Sequence, residues 1–172
     1  MSAALIKELR ERTGLGLLEC KKARSDSNGD IDQAIDHLRK SSGIKAAKKA
    51  GRVAADGVVT TKISEDKKFG ILVEVNSETD FVAREDGFLD FFGKVVDRAF
   101  ELKIEDVAQV LDGNLEKDRE ALVQKIGENI SVRRIAFLEV EHGIVGFYVH
   151  GNSRIGVLVG LSNKDASLAR DI

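Results

Sequence analysis

Glu74-Val-Asn-Ser-Glu-Thr-Asp-Phe-Val-Ala-Arg-Glu-Asp-Gly87 joins two stretches of opposite periodicity. Before and into it, Phe69 to Val75 is apolar at every second position, the pattern of a strand with one covered face. After it, Phe88, Phe91, Phe92, Val95, Val96 and Ala99 recur at i, i+3, i+4, i+7, i+8 and i+11, a complete apolar face of a helix. A strand handing over to a helix at a charged corner is the first mark of a mixed architecture. Within the corner, Thr79 is placed to cap a first turn by accepting from its free amides. Asp80 and Phe81 would then project in a fixed direction, as contact residues do on loops held by a scaffold. Two readings of Phe81 stay open. Seven residues before Phe88, it would share the buried face of an unbroken helix. Arg84-Glu85-Asp86-Gly87 is charged and ends in a helix breaker, which instead interrupts the register and leaves the ring exposed.

Working outward, Val58 to Ile63 is β-branched and Ser64 to Lys68 is a polar turn, so the strand before the corner belongs to a hairpin. Beyond the phenylalanine-rich helix, Ile104 to Leu111 reads as a short helix, and Leu115, Leu122, Val123 and Ile126 belong to one more, ended by Gly127. Ile130 to Glu141, Ile144 to His150 and Arg154 to Leu161 read as strands separated by His142-Gly143 and Gly151-Asn152-Ser153 turns. Strands before and after a helical block give an α+β fold, an antiparallel sheet with helices on one face. Asp165 to Ile172 has the look of a helix just begun.

The first part differs. Leu5, Ile6 and Leu9 share a helix stopped at Thr13-Gly14, and Leu17, Leu18 and Ala23 mark a second. Asn28-Gly29 turns the chain, Asp30 to Gln33 has the form of a capping box, and Ile31, Ala34, Ile35 and Leu38 give a third helix. Three short helices make a small module. Its core is small enough to leave some of Leu15, Leu17 and Leu18 on show. Ser41 to Gly51, rich in Ala and Lys, reads as a connector that is helical in part. The expected division is residues 1–52, helical module plus basic linker, and 53–172, an α+β core that stops short at its C-terminal end.

The 172 residues are 42% hydrophobic and 33% charged, a globular composition, and no apolar run approaches a bilayer span. A single cysteine, Cys20, rules out an internal disulfide framework and fits a reducing cytoplasm; no signal peptide is visible at the start. The net charge of −2 hides an asymmetry: residues 1–56 carry 12 Lys and Arg against 8 Asp and Glu, and the rest 15 against 21. Arg39, Lys40, Lys45, Lys48, Lys49 and Arg52 have no acid among them. They read as a solvated linker helix, since no aromatics are interleaved for base stacking; a nucleic-acid arm is the alternative.

No phosphate loop, no dinucleotide fingerprint and no Cys/His zinc spacing occurs. His37, His142 and His150 are too scattered for a metal site, and no nucleophile is paired with a base. The chain reads as a binding protein without an active site or cofactor.

Several stretches carry a resemblance: Arg10-Glu-Arg-Thr-Gly14, Cys20-Lys-Lys-Ala23, Asn28-Gly-Asp30, Ile44 to Ala50, Ala54 to Gly57, Thr79-Asp-Phe-Val-Ala83, Gly127-Glu-Asn129, His150-Gly151 and Arg154 to Leu158. In order and over the whole chain, they resemble the bacterial elongation factor Ts family, guanine-nucleotide exchange factors of elongation factor Tu. The resemblance implies an N-terminal module of the ubiquitin-associated type and the first half of the family's core domain. It implies that Asp80 and Phe81, flanked by Thr79 and Val82, insert into the partner's G domain. There the aromatic would loosen the magnesium ion and the phosphates of GDP, which requires an exposed Phe81. Arg12, Leu17 and Leu18 fall where the family's module touches the same domain, although many members have methionines at the two leucine positions. His150 matches a partner-facing histidine. Long members continue well beyond the position of Ile172, and short members work as dimers, so a homodimer is an open alternative. Neither a membrane nor direct nucleic-acid binding is implied.

Overall fold

The computed structural model describes residues 2–162 and Leu168. The helices are α1 (Ser2–Thr13), α2 (Leu17–Asp26), α3 (Ile31–Lys49), α4 (Asp86–Leu102), α5 (Val107–Leu111) and α6 (Asn114–Ile126). The strands are β1 (Asp56–Ile63), β2 (Phe69–Ser77), β3 (Ile130–Glu139), β4 (Ile144–Val149) and β5 (Gly156–Leu161). A 3-10 turn, Val82–Arg84, stands before α4. The class is α+β, as the sequence pattern implies. The helix expected within Asp165–Ile172 lies outside the described residues, Leu168 apart. Among the described residues no helix is long and apolar enough to cross a membrane.

The chain divides into two compact units: Met1–Val53 with Glu116–Asn129, and Ala54–Leu115 with Ile130–Ile172. The first unit therefore includes a segment that sequence reading leaves with the core.

In the first unit Leu9, Leu15, Cys20, Ala23, Ala34 and Leu38 form the core, with Ile6, Ile31 and Ile35 packed against it. Asp30 caps α3, one carboxylate oxygen accepting from the Gln33 N–H at 2.9 Å and the other from the Gln33 side-chain amide at 3.3 Å. The turn before it needs left-handed backbone at Asn28 (φ 50°) and Gly29 (φ 84°), which Asn and Gly tolerate. The helix does not stop near Ser41 but runs on through the expected connector. The reason is a buried stripe, Ala34, Leu38, Ser42 and Ala46, four apart and made of small residues in its second half. Hydropathy hides it because Ser42 is polar.

That serine opens a polar network to Glu116–Asn129. Its hydroxyl is shared between the Leu38 carbonyl at 2.9 Å and the Gln124 side-chain oxygen. The Gln124 amide donates to Glu19 Oε1 at 2.7 Å, which also meets the Lys45 ammonium. Lys49 Nζ donates to the Gly127 carbonyl at 2.6 Å, and the Asn129 amide to the Arg52 carbonyl at 2.9 Å. Burial pushes the Glu19 carboxyl up, but hydrogen bonds from Lys45 and Gln124 outweigh it and hold the group below the usual carboxylate range.

In the second unit β1, β2 and β3 form an antiparallel sheet with β2 in the middle. Ile71, Val73 and Val75 of β2 are fully buried on one face, against which α4 lays Phe88, Phe91, Phe92, Val95, Val96 and Ala99, all buried. At the far end of that face Phe69 stacks on Phe100 at 4.8 Å, and Lys103 lies 3.9 Å above the Phe69 ring. The second hairpin does not extend this sheet. β4 and β5 form their own two-stranded sheet, folded over the face opposite α4, where glycines let the hairpin backbone lie against neighbouring side chains. A Cβ at Gly156 would lie 2.6 Å from Leu72 Cδ1, and one at Gly160 3.1 Å from Val140 Cγ1. The Val59 N–H donates to the Ser153 carbonyl at 2.7 Å and the Val145 N–H to that of Lys67 at 2.7 Å, fastening the hairpin to its neighbours.

Candidate functional site

The corner after β2 is built from the inside. Ser77 is fully buried, and its hydroxyl donates to the Thr79 carbonyl at 2.8 Å. Val82 and Ala83 are buried, while Arg84 N–H returns to the Phe81 carbonyl at 3.1 Å and Glu85 N–H to that of Val82 at 3.0 Å. Between these anchors Phe81 is 79% exposed on relaxed helical backbone (φ −64°, ψ −48°). The two open readings of Phe81 thus resolve. The tight turn and the extended Glu85 (ψ 139°) break the helical register, so α4 starts afresh at Asp86 and seven-residue spacing loses its meaning. A bare aromatic forgoes roughly 1.5–3 kcal/mol of burial. The fold holds it out all the same.

Two details depart from expectation. The capping position of the 3-10 turn falls to Phe81 and that of α4 to Glu85, neither with a side-chain cap, while the Thr79 carbonyl accepts from the Ser77 hydroxyl and from the Ala83 N–H. Val82, expected among the contacts, is 5% exposed: its side chain turns inward and anchors the corner. Thr79 and Asp80 are half-buried. Asp80 accepts a charged hydrogen bond from Arg84 at 3.0 Å, an i,i+4 pair that lies open to solvent on the arginine side.

A second exposed patch lies in the first unit. Leu17 is 54% and Leu18 80% exposed at the start of α2, whereas Leu15 is buried, so two of the three candidates are on show. Leu17 borders an open groove of about 470 Å³ lined by Ala3, Ile6, Arg10 and Leu15. Arg12 is exposed and paired with Glu8 at 2.6 Å.

His150 is exposed at the end of β4, and its Nδ1 lies 2.9 Å from the Tyr148 hydroxyl. Sequence reading missed Tyr148. The signal was present, because residues two apart on a strand share a face. His37 and His142 are also exposed, and among the described residues no group of three His, Cys, Asp or Glu could hold a metal ion. The basic stretch is partly engaged within its own unit: Arg39 with Asp36 at 3.8 Å, Lys45 with Glu19, and Lys49 with the Gly127 carbonyl. What the exposed groups offer is an aromatic wedge, a neighbouring acid and apolar side chains, the chemistry of protein recognition.

The sequence model of the family described as elongation factor TS matches residues 78–172. Elongation factor Ts of Hahella chejuensis is 60% identical over 172 residues, and that of Cellvibrio japonicus 61% over the same length. Both alignments take in all of this chain and 59% of the relative. Elongation factor Ts of Arthrospira platensis is 55% identical over 178 residues, with 71% of its length covered. The chain thus spans about three-fifths of the length of the first two relatives.

Proposed function

The chain belongs to the elongation factor Ts family, and we propose that it is a translation elongation factor acting as a guanine-nucleotide exchange factor. In this reading it binds elongation factor Tu and promotes GDP release by disturbing the magnesium and phosphate site. The observation that carries the reading is Phe81, 79% exposed on a corner anchored by the buried Ser77, Val82 and Ala83. Phe81 would wedge into the G domain with Asp80 beside it, on a corner that Thr79 and Val82 hold in shape. Arg12, Leu17 and Leu18 would add a second contact, and His150 a third. Residues 1–52 would serve as a contact module and 53–172 as the body that carries the corner. The place of action would be the cytoplasm. A homodimer would give each assembly two such corners.

No bond chemistry is required. A factor that binds the nucleotide-free partner more tightly than the GDP-bound one shifts the population toward release. Reciprocity makes the same preference weaken GDP by an equal free energy, so each 1.4 kcal/mol is about tenfold in GDP affinity. The test is the rate at which purified elongation factor Tu loses labelled GDP, with and without the chain. We expect acceleration that saturates with chain concentration. An unchanged rate at saturating chain would sink the exchange function.

A further inference from the structure

We propose that Tyr148 is the positioning residue for His150, holding the ring so that Nε2–H faces outward as a donor to a carbonyl or carboxylate oxygen of the partner protein. The inference rests on the partner-binding reading of His150 given above and adds to it the chemistry of the group His150 meets.

The backbone at His150 is already fixed. Its N–H donates to the Ile155 carbonyl at 2.9 Å, and its carbonyl accepts from the Ser153 N–H at 2.7 Å. The Asn152 side chain accepts from the Arg154 N–H at 3.1 Å, and Ser153 is tied to β1 through Val59. The turn is closed on itself and tethered, so the remaining freedom lies in the imidazole ring. Tyr148 removes it. Its hydroxyl stands 2.9 Å from Nδ1, with ring centroids 6.1 Å apart on the same face of β4.

The direction of that hydrogen bond follows from basicity. A phenol O–H is a good donor, and an imidazole nitrogen lone pair is a far better acceptor than a phenol oxygen. The hydroxyl therefore donates and Nδ1 accepts. A neutral imidazole carries one N–H, so the proton sits on Nε2, the nitrogen turned away from Tyr148. What a partner meets is a donor in a set direction, and its matching group is an acceptor.

Two measurements on the same chain test this. In nitrogen NMR at pH 8 we expect the His150 proton on Nε2 and an Nδ1 shift typical of a hydrogen-bond acceptor, the latter lost in Tyr148→Phe, which keeps the ring. In GDP-release titrations against elongation factor Tu, Tyr148→Phe should raise the half-saturating chain concentration about three- to tenfold, the effect of losing one modest hydrogen bond. The saturated rate should stay within about twofold, because the interaction aids docking and not the wedge. His150→Ala should show the same split, and the double variant should be no weaker than His150→Ala alone. A proton on Nδ1, an unchanged half-saturation in Tyr148→Phe, or additive losses in the double variant would overturn the proposal. A wild-type chain that leaves GDP release unchanged would overturn the exchange reading instead, while ring protonation, measured without a partner, still decides the positioning half.

Discussion

Phe81 and Phe88 are seven residues apart and chemically identical, yet one is 79% exposed and the other fully buried. Truncation separates them. Phe88→Ala should cost about 3–5 kcal/mol in urea unfolding, as core phenylalanines do. Phe81→Ala should stay within about 0.5 kcal/mol while slowing chain-stimulated GDP release at least tenfold. A large loss of stability in Phe81→Ala, with exchange by the folded remainder unimpaired, would return the residue to the core. Asp80→Ala breaks a solvent-exposed pair with Arg84, worth about 0.2–1 kcal/mol, so its effect on exchange should again exceed its effect on unfolding. At this scale the sequence is only partly legible. The charged run Arg84 to Gly87 announces that the register breaks, but not that Val82 turns inward. That depends on the 3-10 turn, whose bonds from the Arg84 N–H to the Phe81 carbonyl and from the Glu85 N–H to that of Val82 no apolar pattern encodes.

Among the elements, α4 is the most legible, since all six residues of its apolar stripe are buried. The second half of α3 is the least, because its stripe uses alanine and serine, which carry almost no hydropathy signal. The polar network around Glu19 makes a pH prediction. The Glu19 carboxyl is held below its unfolded value of 4.5, so its contribution is fully present above that value and is lost as pH falls through the lower, folded one. Glu19→Gln should therefore be less stable than wild type at pH 7, and the gap in urea midpoint should close as pH falls below 4.5 and through the lower, folded value. A gap that persists once the carboxyl is protonated in both states would mean that shape, and not charge, holds the network together. The second hairpin was expected as strands, and strands it is. Its separation into a sheet of its own was not legible, because which face a glycine-rich strand covers is decided by neighbours distant in sequence.

For the molecule as a whole, charge sets residues 1–56 apart from the rest, but nothing in the sequence assigns Glu116–Asn129 to the first unit. Its ties to the first unit are polar and long-range, as between Gln124 and Glu19, and no periodicity encodes them. Deleting residues 1–52 should therefore do more than remove a module. A helix the length of α6 is marginal in water without packing, so hydrogen exchange at 116–126 should speed up at least tenfold. Ile71, Val73 and Val75, buried within the other unit, should keep their protection. Loss of protection in β2 as well would show that the second unit cannot stand alone. Neutralising Lys45, Lys48 and Lys49 together should lower the urea midpoint of the first unit, since Lys45 and Lys49 hold Glu19 and the Gly127 carbonyl. An unchanged midpoint would leave those contacts without energetic weight.

The interrupted first unit also sets an order of events during synthesis. Lys49 and Gly127 are 78 residues apart, which at 5–20 residues per second is a wait of roughly 4–16 s. The three leading helices leave the ribosome first and must persist as an unfinished intermediate, with the Ser42 hydroxyl held by the Leu38 carbonyl alone and the Lys49 ammonium served by water. The central strands and α4 are made in the interval. Nascent chains stalled before residue 116 should accordingly be cut by protease within α3, and chains released beyond residue 129 should resist. The last piece of the module to be translated is the one that locks the first.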